Sequence, residues 1–316
     1  MSIKSPQDRR QFLKNAAILP LGMALPKVKS AVTDNSLQRI DQDSKIKLSL
    51  NAWSYNVPLF KYRDGKEGGM SLFDLLDECA RLDFDAVDPT GYFFPGYPDV
   101  PTTAFVNEFK RRAFELGLAI SGTGIRNNFA TADKAKRDAD VALAKRWIEA
   151  AAEMGAPVLR VFAGAQPEGH SWDEASEWMA EALGECAAHG EKHGVIVGVQ
   201  NHGDMLKSAD EVLKILSMVE SRWLGTIVDT GFFLTPDPYA DIARVIPHAV
   251  NWQVKELLSD RKGGPINMEK LVDIIRASNY RGYVPIETLP FPGKEDEYDA
   301  YVRVPELLNR LRVALG

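Results

Sequence analysis

The run Val195–Gly203 reads VIVGVQNHG, and after a helical stretch Leu224–Gly231 reads LGTIVDTG. Each is a nearly unbroken apolar run that closes on polar residues, as a strand covered on both faces does. Between them Ser208-x-x-Glu211 has the spacing of a capping box, which opens a helix. A strand, a helix and a second strand in this order make a parallel pair joined by a right-handed crossover. The same unit recurs on either side. Upstream lie 47–53 (KLSLNAW), 86–90 (AVDPT), 118–125 (LAISGTGI) and 157–163 (PVLRVFA); downstream lie 249–255 (AVNWQVK) and 282–288 (GYVPIET). With 195–201 and 224–230 that makes eight strands, each followed by a helical stretch. Eight such units predict an α/β protein, a single (β/α)8 TIM barrel over residues 45–316. The alternative, an open doubly wound sheet, favours a G-x-G-x-x-G after its first strand, and none is present.

The helical stretches carry their own signals. In 135–154, Val141, Leu143, Ala144, Trp147, Ile148 and Ala151 are spaced to bury one face. Ser71-x-x-Asp74 and Ser171-x-x-Glu174 repeat the capping spacing. Gly155, Gly194 and Gly282 stand between helices and strands, where a left-handed C-terminal cap is useful. No Pro/Gly/Ser-rich linker divides the chain.

Residues 1–31 read differently. Asp8-Arg9-Arg10-Gln11-Phe12-Leu13-Lys14 precedes a short apolar run, Ala16–Leu25. This is the pattern of an export signal, and the paired arginines resemble a twin-arginine signal read by the export machinery for folded proteins. Cleavage near Ser30 or Ala31 and a periplasmic location are expected. The apolar run is too short to span a bilayer, so no stable membrane insertion is expected of the mature chain. Six of the 38 Lys/Arg and one of the 44 acids lie in this segment, which leaves 32 basic and 43 acidic residues, a net charge of −11. A surface that acidic repels polyanions and excludes nucleic acid as a partner. The two cysteines, Cys79 and Cys186, exclude a disulfide scaffold and read as core. Oligomeric state has no signature in this sequence.

In a barrel of this kind chemistry sits at the C-terminal ends of the strands. There the sequence places Asn51 and Trp53, Asp88, Arg126-Asn127-Asn128, Arg160, Gln200-Asn201-His202, Asp229, Gln253-Val254-Lys255-Glu256 and Glu287. The loop after the fourth strand adds Glu168 and His170. Polar groups in apolar strands are costly unless paired or liganded. Strand alternation puts Gln200 with His202 on one face and Gln253 with Lys255 on another, while Asn201 points away. Gln200, Asp229, Gln253 and Glu287 then ring one point, with His202 and Lys255 above it. Two carboxylates and two amide oxygens suit a hard divalent cation, Mg²⁺ or Mn²⁺; the lack of imidazole makes Zn²⁺ a poorer match.

The order of these motifs resembles the xylose isomerase-like barrels of the sugar phosphate isomerase/epimerase superfamily. In them the fifth strand ends in a ligand Glu followed by Asn-His-Gly, where this chain has Gln200-Asn201-His202-Gly203. Their sixth strand carries Asp-x-Gly-His; here it is Asp229-Thr230-Gly231-Phe232. Their seventh reads His-x-Lys-Asp/Glu, here Gln253-Val254-Lys255-Glu256, and their eighth ends in a ligand Glu, here Glu287. Asp229, Lys255, Glu256 and Glu287 are kept; a Glu and a His have become Gln200 and Gln253. The resemblance implies metal ligation by Gln200, Asp229, Gln253 and Glu287, and a small carbohydrate or polyol as substrate. Loss of the Glu removes one member of the usual acid/base pair, which compromises two-base epimerisation. The His-rich abasic-site nucleases of the same superfamily are excluded by five histidines in all and the acidic charge.

Such a constellation isomerises or epimerises a sugar through an enediolate. A cation polarises the carbonyl, and a nearby base takes the α proton. Glu287 is the candidate base and ligand, His202 a separate acid/base titrating near neutral pH, and Lys255 the electrostatic stabiliser. Arg126 and Arg160 are candidates to hold anionic or hydroxyl groups. Trp53, Tyr92, Phe93 and Phe232 are candidates for an apolar wall. The competing readings are a keto-sugar lyase in the same site and a sugar-binding barrel without turnover.

Overall fold

A computed structural model describes residues 46–316. The export-signal expectation for residues 1–31 and the boundary at residue 45 lie outside the described residues. All eight predicted runs are strands. They are β1 (Lys47–Asn51), β2 (Ala86–Asp88), β3 and β4 (Ala119–Ile120 and Thr123–Gly124, the two halves of the third run), β5 (Val158–Phe162), β6 (Ile196–Gln200), β7 (Leu224–Asp229), β8 (Ala249–Gln253) and β9 (Tyr283–Ile286). All pair in parallel, in two arcs ordered β3-β2-β1-β9 and β4-β5-β6-β7-β8. Bridges Thr90↔Gly124 and Val254↔Ile286 join the arcs at both seams and close the ring.

The third run breaks at Ser121-Gly122 because the barrel interior is crowded there. A Cβ on Gly122 would lie 2.9 Å from Asn251 Nδ2 and 3.3 Å from Asp88 Oδ2. The observed ladders also stop one or two residues short of the predicted C-terminal ends. The residues left over, among them Asn201, Lys255 and Glu287, form the rim of the barrel with His202 beyond them.

The helices form the outer layer: α1 (Asn56–Arg63), α2 (Leu72–Arg81), α3 (Thr103–Glu115), α4 (Lys134–Met154), α5 (Trp172–His193), α6 (Ala209–Met218), α7 (Pro238–Val245), α8 (Met268–Ala277) and α9 (Ala300–Leu315). All three capping boxes form: each serine hydroxyl accepts from the backbone of the acid three residues on, and the carboxylate reaches back. Gly155 and Gly194 take left-handed caps at φ 79° and 71°. Gly282 does not. After α8 the left-handed position is filled by Asn279 at φ 59°, whose short polar side chain tolerates it. The whole predicted face of α4 is buried, with Trp147 and Ile148 fully so, as are Cys79 and Cys186. Among the described residues no helix is long and apolar enough to cross a membrane.

Candidate active site

The rim encloses a cavity of about 650 Å³. Register brings the expected residues together on its floor. Asp229 pairs across with Gln253, and Gln200 with Ile227. The bridge Val254↔Ile286 sets Lys255 beside Glu287. Gln200, Gln253, Lys255 and Glu287 line the cavity, while Asp229 lies just beneath it at 0 % exposure.

The bonding among these five residues departs from the expectation. The Gln200 amide nitrogen donates to Asp229 Oδ2 at 2.7 Å and to Gln253 Oε1 at 2.7 Å. Its oxygen is buried and has no partner among the described residues. The Lys255 ammonium contacts Glu287 Oε1, stands 3.4 Å from Asp229 Oδ2 and 3.4 Å from Gln253 Oε1, and is itself buried. Three of the quartet expected to surround a divalent cation, Asp229, Gln253 and Glu287, therefore face Lys255 Nζ, and the fourth, Gln200, turns its N–H groups toward Asp229 and Gln253. As the chain stands this donor set does not fit Mg²⁺ or Mn²⁺, which require converging oxygens.

The other members of the floor are fixed by their surroundings. Asn201 points away as expected: its amide spans the Asp229 backbone, accepting from its N–H and donating to its carbonyl, both at 2.9 Å. Glu256 does not pair with Lys255; it faces the other way and pairs with Arg303. Burial pushes the Asp229 carboxyl up to about 7; Lys255 opposes the shift and Glu287 adds to it. His202 is held between two aromatic rings. Its ring stacks on Phe232 at 4.4 Å and lies 4.7 Å from Phe162. Burial, with Lys255, Arg160 and Arg126 nearby, pushes it down to about 3. That direction disfavours the imidazolium and argues against the acid/base role expected of it; the ring offers a flat wall to the cavity.

The two arginines differ in what they offer. Arg160 is buried and committed, donating to the Ile125 carbonyl at 2.7 Å and to the Tyr92 hydroxyl at 2.8 Å, with its guanidinium carbon 4.1 Å from the Phe162 ring centroid. It lies across Gly124, where a Cβ would be 2.6 Å from Arg160 Nε. Arg126 is exposed, lies over Tyr92 at 5.2 Å and, among the described residues, its guanidinium has no hydrogen-bond partner. Trp53 lines the cavity and meets Tyr92 edge-on at 5.7 Å. Phe93 packs behind them, and Phe162 takes its place in the wall. His170 sits outside the cavity, edge-on to Trp178 at 5.1 Å.

Sequence reasoning missed Asp260 and Arg261, which overhang the cavity from the loop after β8. Ser259, Asp260 and Arg261 are all left-handed, at φ 50°, 51° and 63°, a strained run of the kind that clusters at functional sites. It is held by Asp260 N–H to the Gly231 carbonyl at 2.6 Å and by Arg261 to the Pro290 carbonyl at 3.0 Å. The available signal was position alone, a loop leaving a strand end at the barrel mouth. Also missed was a group on the outer helices: Glu149 on α4 with His189 and His193 on α5 has donor atoms within 4.8 Å of one another, an arrangement that suits a divalent transition metal.

Asp88 is the last residue of β2, as expected, but is buried and does not line the cavity. It accepts from Asn251 at 3.2 Å, and burial pushes its carboxyl up to about 7, opposed by Arg160. A carboxyl whose folded value exceeds its unfolded one, about 3.9, stabilises fully below that value and loses the contribution as pH rises through 7. Wild type is thus expected to lose up to about 4 kcal/mol relative to Asp88→Asn between pH 4 and pH 8. Urea midpoints of both proteins at the two pH values check this; parallel pH dependences would remove Asp88 as a titrating group.

A closed parallel ring with its polar residues gathered at the C-terminal mouth defines the molecule as a (β/α)8 barrel of the kind that binds small ligands there. More narrowly, it belongs to the xylose isomerase-like TIM barrel family, whose sequence profile matches residues 76–306. Among solved structures it is similar to D-psicose 3-epimerase from Clostridium cellulolyticum H10, crystallised with D-tagatose, at 14% identity and TM-score 0.69, over 86% of this chain and 100% of that one. It is similar to 3-keto-D-glucoside 4-epimerase from E. coli at 14% identity and TM-score 0.66, over 85% and 99%. The IOLI protein, whose structure holds a zinc atom, matches at 12% identity and TM-score 0.66, over 85% and 96%. No curated protein sequence matches.

Proposed function

We propose that this chain is a carbohydrate enzyme of the isomerase/epimerase type, moving a proton on the carbon next to the carbonyl of a keto-sugar or oxidised polyol. One observation carries the reading: a buried ammonium and a carboxylate, Lys255 and Glu287, in contact on the floor of a cavity large enough for a sugar. The Glu287 carboxylate takes the α proton. The C–H pair becomes the C=C bond of an enediolate, and the carbonyl oxygen gains negative charge that Lys255 stabilises by hydrogen bonding. Return of the proton to the former carbonyl carbon, with the hydroxyl proton of the α carbon passing to the old carbonyl oxygen, isomerises; protonation of the α carbon from the opposite face, by a donor other than Glu287, epimerises. The aromatic wall of Trp53, Tyr92 and Phe232 suits the apolar face of a sugar ring, and the guanidinium of Arg126 suits its hydroxyls or a carboxylate.

A second reading has its own support. Of the two carboxylates on the floor only Glu287 reaches the cavity, since Asp229 is fully covered; Asp204 and Asp260 line it from the loops. Elimination needs no second base on the floor: Glu287 takes the α proton, a β-alkoxide departs, and the same carboxyl returns the proton to it. Deuterium incorporation from D₂O into ketoses and 3-keto-glycosides, followed by NMR, tests both. Exchange without a new absorbance supports isomerisation, and an enone absorbance supports the lyase. Sugar binding without exchange or elimination across the panel leaves the non-catalytic barrel.

We also infer export through the twin-arginine route, on the strength of Arg9-Arg10 and the apolar run after them. A periplasmic enzyme of this kind meets free sugars and glycosides rather than sugar phosphates. Arg9→Lys with Arg10→Lys is expected to hold the chain in the cytoplasm; unchanged periplasmic recovery would overturn the route.

A further inference from the structure

We propose that Lys255 is the resident cation of this site, standing where a divalent metal would otherwise bind, so that the chemistry runs without one. The proposal deepens the functional reading above, on which its account of turnover rests; its account of metal binding stands on geometry alone.

Three observations carry it. First, three of the four oxygens that could converge on a metal already serve the ammonium: Asp229 Oδ2 and Gln253 Oε1 at 3.4 Å, and Glu287 Oε1 in contact. Second, Gln200 is turned the wrong way for a metal. Its NH₂ faces two acceptors at 2.7 Å each, and its oxygen has no partner among the described residues. Rotating the amide to offer oxygen inward would break both bonds and set oxygen against oxygen. Third, the lysine is built in. Its backbone N–H donates to Thr230 Oγ1 at 2.9 Å, and its stem runs over Gly231, where a Cβ would fall 2.7 Å from Lys255 Cγ.

Charge decides between the two cations. With both carboxylates ionised, Lys255 leaves the floor one charge negative. Adding a divalent ion beside the ammonium would leave it one charge positive with two cations side by side. Burial makes that repulsion costly. The ammonium and the metal are therefore alternatives. The ammonium adds what a bare ion lacks, a proton to hydrogen-bond to the enediolate oxygen while Glu287 holds the proton taken from carbon.

The test is Mn²⁺ binding by the full chain, read by EPR and elemental analysis. It is done in a His189→Ala/His193→Ala background, so that the outer Glu149–His189–His193 group does not contribute. The chain with Lys255 intact is expected to take up no Mn²⁺ at the barrel floor. Lys255→Ala empties the position and is expected to gain about one Mn²⁺ per chain, lost again on adding Asp229→Asn. Stoichiometric Mn²⁺ with Lys255 intact, lost on Asp229→Asn, would overturn the proposal. So would a folded Lys255→Ala that binds none, since the position would then be no cation site. If Lys255→Ala does not fold, deuterium exchange by wild type decides: a rate unmoved by EDTA supports the proposal, and a tenfold fall restored by Mn²⁺ overturns it. Failure of every sugar to exchange would instead count against the proposed function, and the Mn²⁺ titration would still stand.

Discussion

Glu287→Gln is expected to slow deuterium exchange into the sugar substrate by about a thousandfold while leaving the fold and sugar binding in place. The size follows from the job. A positioned general base contributes roughly 10²–10⁴ in rate, and an amide cannot accept the proton. A thousandfold corresponds to about 4 kcal/mol of barrier. The substitution is otherwise gentle. The two side chains have one shape, the amide oxygen can still accept from Lys255, and Asp229 remains to balance the ammonium. Rate and affinity should therefore separate, with the loss in kcat and little in KM. Equal losses in both, with a lowered melting temperature, would make Glu287 a structural partner of Lys255 rather than the base.

How far the sequence leads to this site can be followed residue by residue. Parallel strands all deliver their C-terminal ends to one rim, so locating the strands was enough to place Gln200, Asp229, Gln253, Lys255 and Glu287 around one point. Alternation along β6 and β8 oriented them, because a period of two survives from sequence into the sheet. What did not survive is anything decided by atoms beyond Cβ. A glutamine presents oxygen or nitrogen according to its neighbours, and here two acceptors chose the nitrogen. A lysine has four methylenes of reach, and which carboxylate it meets depends on the seam between β8 and β9 rather than on its neighbour Glu256. His202 fails in the same way. Its intrinsic titration suits acid/base work at neutral pH, but burial between Phe162 and Phe232, with three cations nearby, pushes it down. The outer Glu149–His189–His193 group was half legible. The four-residue spacing of the histidines places both on one helix face, while Glu149 comes from the preceding helix, 40 residues away, and only packing joins them.

Lys255→Met carries the other large effect, and its signature is a stability loss that grows with pH. Removing one member of a buried charge group leaves its partners uncompensated and costs about 3–5 kcal/mol. Part of that cost depends on the protonation of Asp229. Burial holds the Asp229 carboxyl up at about 7, and Lys255 is the main influence opposing that rise. Without the ammonium the carboxyl keeps its proton to still higher pH. A neutral carboxyl needs no cation, so at pH 5 the variant is expected to lie close to wild type in this respect. As pH rises through 7 and beyond, the unfolded chain is already ionised while the folded variant must either hold its proton or bury a bare charge. Stability conferred by a raised carboxyl is lost in that direction, and the variant loses more than wild type. Urea melts of both proteins at pH 5 and pH 8.5 are expected to show the gap widening by several kcal/mol, with sugar exchange down about a hundredfold or more at either pH. A gap that stays constant with pH would mean that Lys255 contributes packing alone. The floor of the barrel would then need a different source for the charge that polarises its substrate.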